Sequence, residues 1–197
     1  MKSTNKIEEI NRNSFEEVDL LNKQADEARK DNNNLSLSVS KEAISMAQLL
    51  GYSKGLAKAY LNAGISCRLS SNLKTAIDYY QEALKINRRL KDKKAESRTL
   101  NSIANVYYSL SNFDKAIEYY DECIFSLQSI GDLDFEATVL TNRGLSYQLN
   151  GDLRAALNNY LESLSLYKSN SEEVHYALLN NLGVVYLEIG RYQESLF

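Results

Sequence analysis

The sequence has no proline in 197 residues. Proline is the commonest breaker of helices and the usual rigidifier of turns, so its absence points to helix upon helix joined by short turns. Cysteine is scarce: Cys67 and Cys123 stand far apart, which excludes a disulfide framework and a four-ligand zinc site. His175 is the only histidine, so there is no histidine cluster for a metal and no Cys-His pair close in the pattern. No run of about 18 apolar residues is present to span a bilayer. The opening Met1-Lys2-Ser3-Thr4-Asn5-Lys6 leads into acidic Ile7-Glu8-Glu9-Ile10 and lacks the apolar stretch of a signal peptide. Charge of one sign is also missing. With 23 Lys+Arg against 26 Asp+Glu, the net charge of -3 gives no reason for wholesale binding to nucleic acid or an acidic membrane surface. What is present is ordinary for a folded, soluble chain: 44% apolar and 25% charged residues.

Repetition dominates the rest. Asn72-Leu73-Lys74-Thr75-Ala76-Ile77-Asp78-Tyr79-Tyr80 aligns with Asn112-Phe113-Asp114-Lys115-Ala116-Ile117-Glu118-Tyr119-Tyr120 and with Asp152-Leu153-Arg154-Ala155-Ala156-Leu157-Asn158-Asn159-Tyr160. Corresponding positions lie 40 apart: Ala76, Ala116, Ala156; Tyr80, Tyr120, Tyr160; Ala83, Cys123, Ser163. Upstream of each lies a second matching stretch, Asn62-Ala63-Gly64, Ser102-Ile103-Ala104, Asn142-Arg143-Gly144 and, one residue shorter, Asn181-Leu182-Gly183. Each unit therefore has two segments, A and B, with apolar residues at spacings of three and four, the period of amphipathic helices. Ser111-Asn112, Gly151-Asp152 and Gly190-Arg191 separate A from B, while Lys91-Asp92 and Gly131-Asp132 separate B from the next A. Glycine or asparagine can end a helix in the left-handed conformation, and Asp or Asn can cap the next one. All eight glycines are read as close-approach or turn residues, none as part of a phosphate loop.

The series Leu100…Ala104…Tyr107…Phe113…Ala116…Tyr120…Cys123 and Leu140…Gly144…Tyr147…Leu153…Ala156…Tyr160…Ser163 resembles the tetratricopeptide repeat. The usual period is about 34 and a proline often closes the unit. The 40-residue, proline-free units look like the subgroup found in spindle-orientation adaptors, kinesin light chains and bacterial signalling proteins. The resemblance implies an all-α, right-handed superhelical solenoid of antiparallel helix pairs. The expected organisation is a polar extension at 1–13, a degenerate capping repeat at 14–54, repeats at 55–94, 95–134 and 135–173, and a truncated repeat at 174–197. Within the first repeat, Asn32-Asn33-Asn34 is the expected turn, and Leu35-Ser36-Leu37-Ser38-Val39 is read as helix despite its strand-like alternation. Because 191–197 matches only the opening of a B helix, the chain is expected to be the N-terminal piece of a longer protein. Fraying or self-association through Leu182, Val185, Tyr186 and Leu196 would follow.

Catalysis finds little support. Cys67 replaces an aromatic core position and Cys123 a small contact position, so both read as buried, reduced thiols. His175 reads as solvated or satisfied. The pairs Glu8 and Glu9, Glu16 and Glu17, and Glu172 and Glu173 are sequence neighbours, which do not face one another on a helix. Tyr80, Tyr107, Tyr120, Tyr147, Tyr160 and Tyr186 are assigned to the core. No enzyme activity, cofactor or metal is expected.

In the resembled family the A helices line a concave groove. Two residues before the small residue of each A helix stand Asn62, Ser102, Asn142 and Asn181, a ladder whose amides could pair with a ligand backbone. One turn earlier come Lys58, Arg98, Thr138 and Ala177. Arg68, Asn101, Asn105, Tyr108, Gln148 and Asn180 complete the candidate groove. In spindle-orientation adaptors a basic residue beside the asparagine binds acidic peptides, so Lys58 and Arg98 would suit an acidic partner. A solvated basic face would look the same. The expected function is a cytoplasmic, non-catalytic module binding an extended or helical protein segment. The alternative is the N-terminal input domain of a larger bacterial sensor kinase or nucleotide cyclase.

Overall fold

The computed structural model describes residues 2–169 and 176–190, all of it helix and short turn. The expectations placed on Glu172, Glu173, His175 and 191–197 fall outside the described residues. Nine helices are described: α1 (Lys2–Ala28), α2 (Asn33–Leu50), α3 (Ser53–Leu69), α4 (Leu73–Leu90), α5 (Lys93–Ser109), α6 (Phe113–Gln128), α7 (Leu133–Leu149), α8 (Leu153–Ser169) and α9 (Tyr176–Glu188). The chain divides into two compact units, Met1–Ala95 and Glu96–Phe197. In the first, consecutive helices α1 to α4 pack pairwise, and α1 also touches α3. In the second, α6 packs on α7, α7 on α8 and α8 on α9, with α7 also reaching α9.

The turns explain why helices of this length stop where they do. Left-handed backbone occurs at Gly51, Ser71, Lys91, Ser111, Gly131 and Gly151, one every 20 residues, and again at Gly190. At most of these turns the next residue closes a 6→1 bond onto the helix just ended, as in Asn72 N–H to Cys67 O (2.8 Å) and Asp152 N–H to Tyr147 O (2.9 Å). At four of these turns the Asp or Asn after the left-handed residue caps the following helix, whereas Asn72 makes no side-chain cap bond. Asp92 accepts from the Ala95 N–H, Asn112 from Lys115, Asp132 from Phe135 and Asp152 from Ala155. Asn32 caps α2 by accepting from Leu35 N–H, so Asn33 and Asn34 are already helical.

The helices pair antiparallel through small residues facing large ones. Tyr80, Tyr120 and Tyr160 are fully buried. A Cβ added at Gly64 would lie 2.5 Å from the Tyr80 ring, and one at Gly144 would lie 2.6 Å from that of Tyr160. The tyrosine therefore lies directly on the glycine of its partner helix. Ala104 holds that place in α5, and the outcome differs there. Tyr120 OH donates to Asn105 (2.6 Å), one residue beyond the alanine, whereas Tyr160 OH donates to Gln148 (3.0 Å), four beyond the glycine. The Leu-Ser-Leu-Ser run is helical, as expected, with Ser36 facing inward and Ser38 exposed. Ser36 Oγ donates to Ala25 O (2.7 Å), Ser40 Oγ to Ser36 O (2.7 Å), and both serines are fully buried.

Candidate functional site

On α3 the structure overturns one expectation outright. Asn62 is 0% exposed and does not face an open groove. Its amide donates to Asn22 O (3.0 Å), and the Asn22 amide donates in turn to Gly55 O (3.0 Å). Asn62 is thus a buried strut between α1 and α3. Asn22 is its counterpart 40 residues earlier, a rung that extending the period back by one unit would have found. Lys58 is exposed but committed, its Nζ lying 2.8 Å from Asp26. Arg68 is half-buried near the buried Tyr80 hydroxyl.

In the second unit the A-helix candidates keep partial exposure. On α5, Arg98 is exposed, and Asn101, Ser102, Asn105 and Tyr108 are half-buried. Ser102 Oγ returns to Arg98 O (2.9 Å), a within-helix bond. Asn105 spends its carbonyl on Tyr120, while the Oδ1 of Asn101 is buried without a partner. Tyr108 packs edge-on against Phe113, their ring centres 6.0 Å apart. Gln148 on α7 is used at both ends, accepting from Tyr160 and donating to Glu188 of α9 (3.1 Å), so it braces the fold. Asn142 and Asn181 are half-buried and Asn180 is exposed.

Asn142 borders a concavity of about 440 Å³. Helix α7 contributes Thr138, Thr141 and Asn142; α8 contributes Tyr167; α9 contributes Tyr176, Ala177 and Leu178. Thr138 and Ala177 occupy the register one turn before the ladder, and Thr141 the register of Asn101 and Asn180. No formal charge lines it. Thr138 Oγ1 shares a hydrogen bond with Tyr167 OH (3.1 Å), and Thr141 Oγ1 shares one with Ser163 (2.9 Å). These hydroxyls stay near the wall and fix the shape. Tyr167 stands where Leu127 stands one period earlier, so the repeat pattern held no signal for it.

The nucleophiles are structural. Cys67 and Cys123 are buried. The Cys123 thiol donates to Ser97 O, and Ser163 Oγ donates to Ala137 O at the equivalent place one period later. Burial pushes the Cys123 thiol up to about 12, against a smaller lowering by the Asn101 backbone N–H. Burial also raises Cys67, opposed by Lys41. Among the described residues there is no cluster of three or more His, Cys, Asp or Glu able to hold a metal. None of the described helices is long and apolar enough to cross a membrane. Three tyrosines expected in the core sit at its edge instead. Tyr107, Tyr147 and Tyr186 are only half-buried, and the Tyr107 ring stacks with Tyr119 (5.5 Å) and has the Lys115 ammonium 5.2 Å from its centre.

The sequence profile of the tetratricopeptide repeat matches three overlapping stretches, 55–124, 95–169 and 135–196. The chain is a tetratricopeptide repeat protein. Among curated relatives, Tetratricopeptide repeat protein 29 of Trypanosoma brucei brucei is 33% identical over 64 residues, 32% of this chain and 13% of that protein. BBSome complex member BBS4 of Bos taurus is 28% identical over 122 residues, 62% of this chain and 20% of that one. The chain thus spans a fifth or less of the length of these relatives. Among solved structures, BtubC from P. vanneervenii superposes with a TM-score of 0.79 at 21% identity, covering 98% of this chain and 84% of that one. A STAND signal-transduction ATPase with a tetratricopeptide repeat sensor, from Pyrococcus horikoshii, gives 0.75 at 22%, covering 84% and 26%. At such identities the structural likeness speaks for the fold. The tetratricopeptide repeat is a protein-interaction fold, and proteins built on it are generally scaffolds.

Proposed function

We propose that this repeat array is a non-catalytic docking module whose A helices in the second unit hold a segment of a partner protein. One observation carries the reading. The concavity beside Asn142 is lined at the A-helix register that the repeat pattern singles out, by Thr138 and Asn142 of α7 and Ala177 of α9. Asn101 adds a half-buried amide at the register of Thr141 and Asn180. The ligand would be held by hydrogen bonds to its backbone and by one or two side chains entering the uncharged concavity. Site residues in this reading are Asn101, Ser102, Asn105, Tyr108, Asn142, Asn180 and Asn181, with Gln148 as a brace. Affinity capture with mass spectrometry tests it. A species retained by the wild type should be lost from Asn142→Ala/Asn181→Ala while helix content and melting temperature stay nearly unchanged. Equal retention, or an unfolded variant, contradicts the assignment.

A second reading has one finding in its favour, the likeness to the repeat sensor of the STAND ATPase. In it the array is the input domain of a larger signalling protein, and the same face receives the signal. A catalytic domain in the parent reading frame would support it, and a frame without one would exclude it.

A further inference from the structure

Polar ties at a regular interval join α6 to α7. Gln128 Nε2 donates to Glu136 (2.8 Å), Arg143 Nη1 to Asp121, and Asn150 Nδ2 to Asp114 (2.9 Å). The tied residues step by seven, through 128, 121 and 114 on α6 and through 136, 143 and 150 on α7 and its cap. Seven residues are about two helical turns, so the ties lie along one antiparallel seam. In each of them a carboxylate is the acceptor. The last is peculiar to this repeat: Asp114 is matched by Lys74 and Arg154 one period away, and Asn150 by Leu110. Its donor also precedes Gly151, and Asn150-Gly151 is the only Asn-Gly pair in the sequence.

A carboxamide in that position can be attacked by its own backbone. Glycine has no Cβ to hinder its nitrogen. The Gly151 nitrogen bonds to Asn150 Cγ and gives up its proton, ammonia leaves, and a five-membered succinimide closes. Water then adds to one of the two ring carbonyls and the C–N bond there breaks. Opening at Cγ leaves aspartate; opening at the main-chain carbonyl leaves isoaspartate. One water is consumed and one ammonia released, with no oxidant or other reactant.

The turn gives room for this chemistry while the fold restrains it. Asn150, Gly151 and Asp152 are exposed, and a Cβ added at Gly151 would meet nothing within 4 Å. Yet Asn150 is helical, at φ −83° and ψ −3°, which turns the Gly151 nitrogen away from the side chain it must attack. The Gly151 N–H is bonded to Gln148 O (3.1 Å), and Asp114 holds the carboxamide. Ring closure therefore waits for the last turn of α7 to open, a local event of the kind helix ends undergo most easily.

We infer that Asn150-Gly151 is a modification site, a slow deamidation that turns the last tie of the seam into a repulsion and loosens α6 from α7. The new carboxylate faces Asp114 in place of a donor. It also stands at the end of α7 that already carries partial negative charge. Isoaspartate further lengthens the backbone inside the turn that Asp152 N–H closes on Tyr147 O (2.9 Å). None of this depends on the docking reading.

The test uses the full chain, incubated at mildly alkaline pH and sampled over time. Peptide mapping by mass spectrometry follows the mass gained when NH2 becomes OH, and electron-transfer fragmentation separates aspartate from isoaspartate. Asn150 should convert faster than any other asparagine, giving both products. Asp114→Ala, which frees the carboxamide, should speed conversion about two- to fivefold. Asn150→Asp should lower the melting temperature by about 1–4 °C. Adding Asp114→Asn, which puts a donor back across the tie, should recover most of that loss. The site is wrong if Asn150 converts no faster than the other asparagines, or if Asp114→Ala leaves its rate unchanged. The loosening is wrong if Asn150→Asp melts like the wild type, or if Asp114→Asn gives no recovery.

Discussion

Replacing Gly144 with alanine separates the packing account from helix propensity, because the two disagree in sign. By propensity alone the change should stabilise α7 by about 1 kcal/mol. The structure places the new methyl 2.6 and 2.8 Å from two ring carbons of Tyr160 and 3.2 Å from Asn159 Cβ. Carbon pairs rest at about 3.5–4.0 Å, so the ring must withdraw by roughly 1 Å. Tyr160 is fully buried and cannot simply swing out, so overpacking should cost about 1–3 kcal/mol. Withdrawal also strains the Tyr160 OH to Gln148 bond, worth about 1 kcal/mol. The net expectation is a loss of about 1–3 kcal/mol, or a fall of roughly 3–10 °C in melting temperature for a chain of this size. Urea unfolding followed by circular dichroism measures it. The mechanism is checked with Tyr160→Phe, which should cost about 1 kcal/mol in the wild type and much less in the Gly144→Ala background. A Gly144→Ala protein more stable than wild type, or a Tyr160→Phe cost unchanged by it, would refute the packing account.

Asn62→Ala should destabilise by about 1–2 kcal/mol because it breaks the strut to Asn22, whereas Asn142→Ala should change stability by less than about 0.5 kcal/mol; paired thermal melts decide. Ser111→Gly should raise stability by up to about 1 kcal/mol by relieving left-handed backbone at φ 55°, and a loss in the same melts would contradict that. Burial raises the Tyr80, Tyr120 and Tyr160 hydroxyls and the Cys123 thiol above their ordinary values of 10.0 and 9.0. A raised acid favours its protonated form in the fold, so this stability is intact below about pH 9 and drains away as pH climbs towards 12 and beyond. Absorbance at 295 nm should show the buried three ionising only as the helices unfold, in step with the loss of circular dichroism; their ionisation while the helices remain intact would contradict their burial. In the same vein, a water-soluble thiol reagent should label Cys67 and Cys123 slowly before unfolding and quickly after it.

Helix content and the repeat were readable because small and aromatic residues recur with a fixed period, and their spacing of three and four permits one secondary structure. The turns were readable where Gly131 or Gly151 marked them and at Lys91-Asp92 and Ser111-Asn112, but not at Ser71, and none of Ser71, Lys91 and Ser111 is a glycine. There the same left-handed conformation is imposed by the stacking period on residues that do not favour it. Residue type misled in α2, where Ser36 of Leu-Ser-Leu-Ser faces inward and Leu35 is exposed. Helix approach there is close enough that a hydroxyl with a backbone acceptor packs better than a branched chain. For the candidate site, register located the wall of the concavity at Thr138, Asn142 and Ala177. It could not tell that the same register at Asn62 is buried. Burial there depends on what lies opposite, and opposite Asn62 stands Asn22 with a backbone oxygen to offer.

Site-specific photo-cross-linking tests the docking reading most directly. A photoreactive phenylalanine analogue placed at Leu145, on α7 one turn beyond Thr141, would report on the A-helix face, and one at Glu162, exposed on α8, on the outer face. Docking on the A helices predicts partner adducts from position 145 and few from 162, with Asn142→Ala/Asn181→Ala abolishing the former. Adducts chiefly from 162, unaffected by the double substitution, would contradict it.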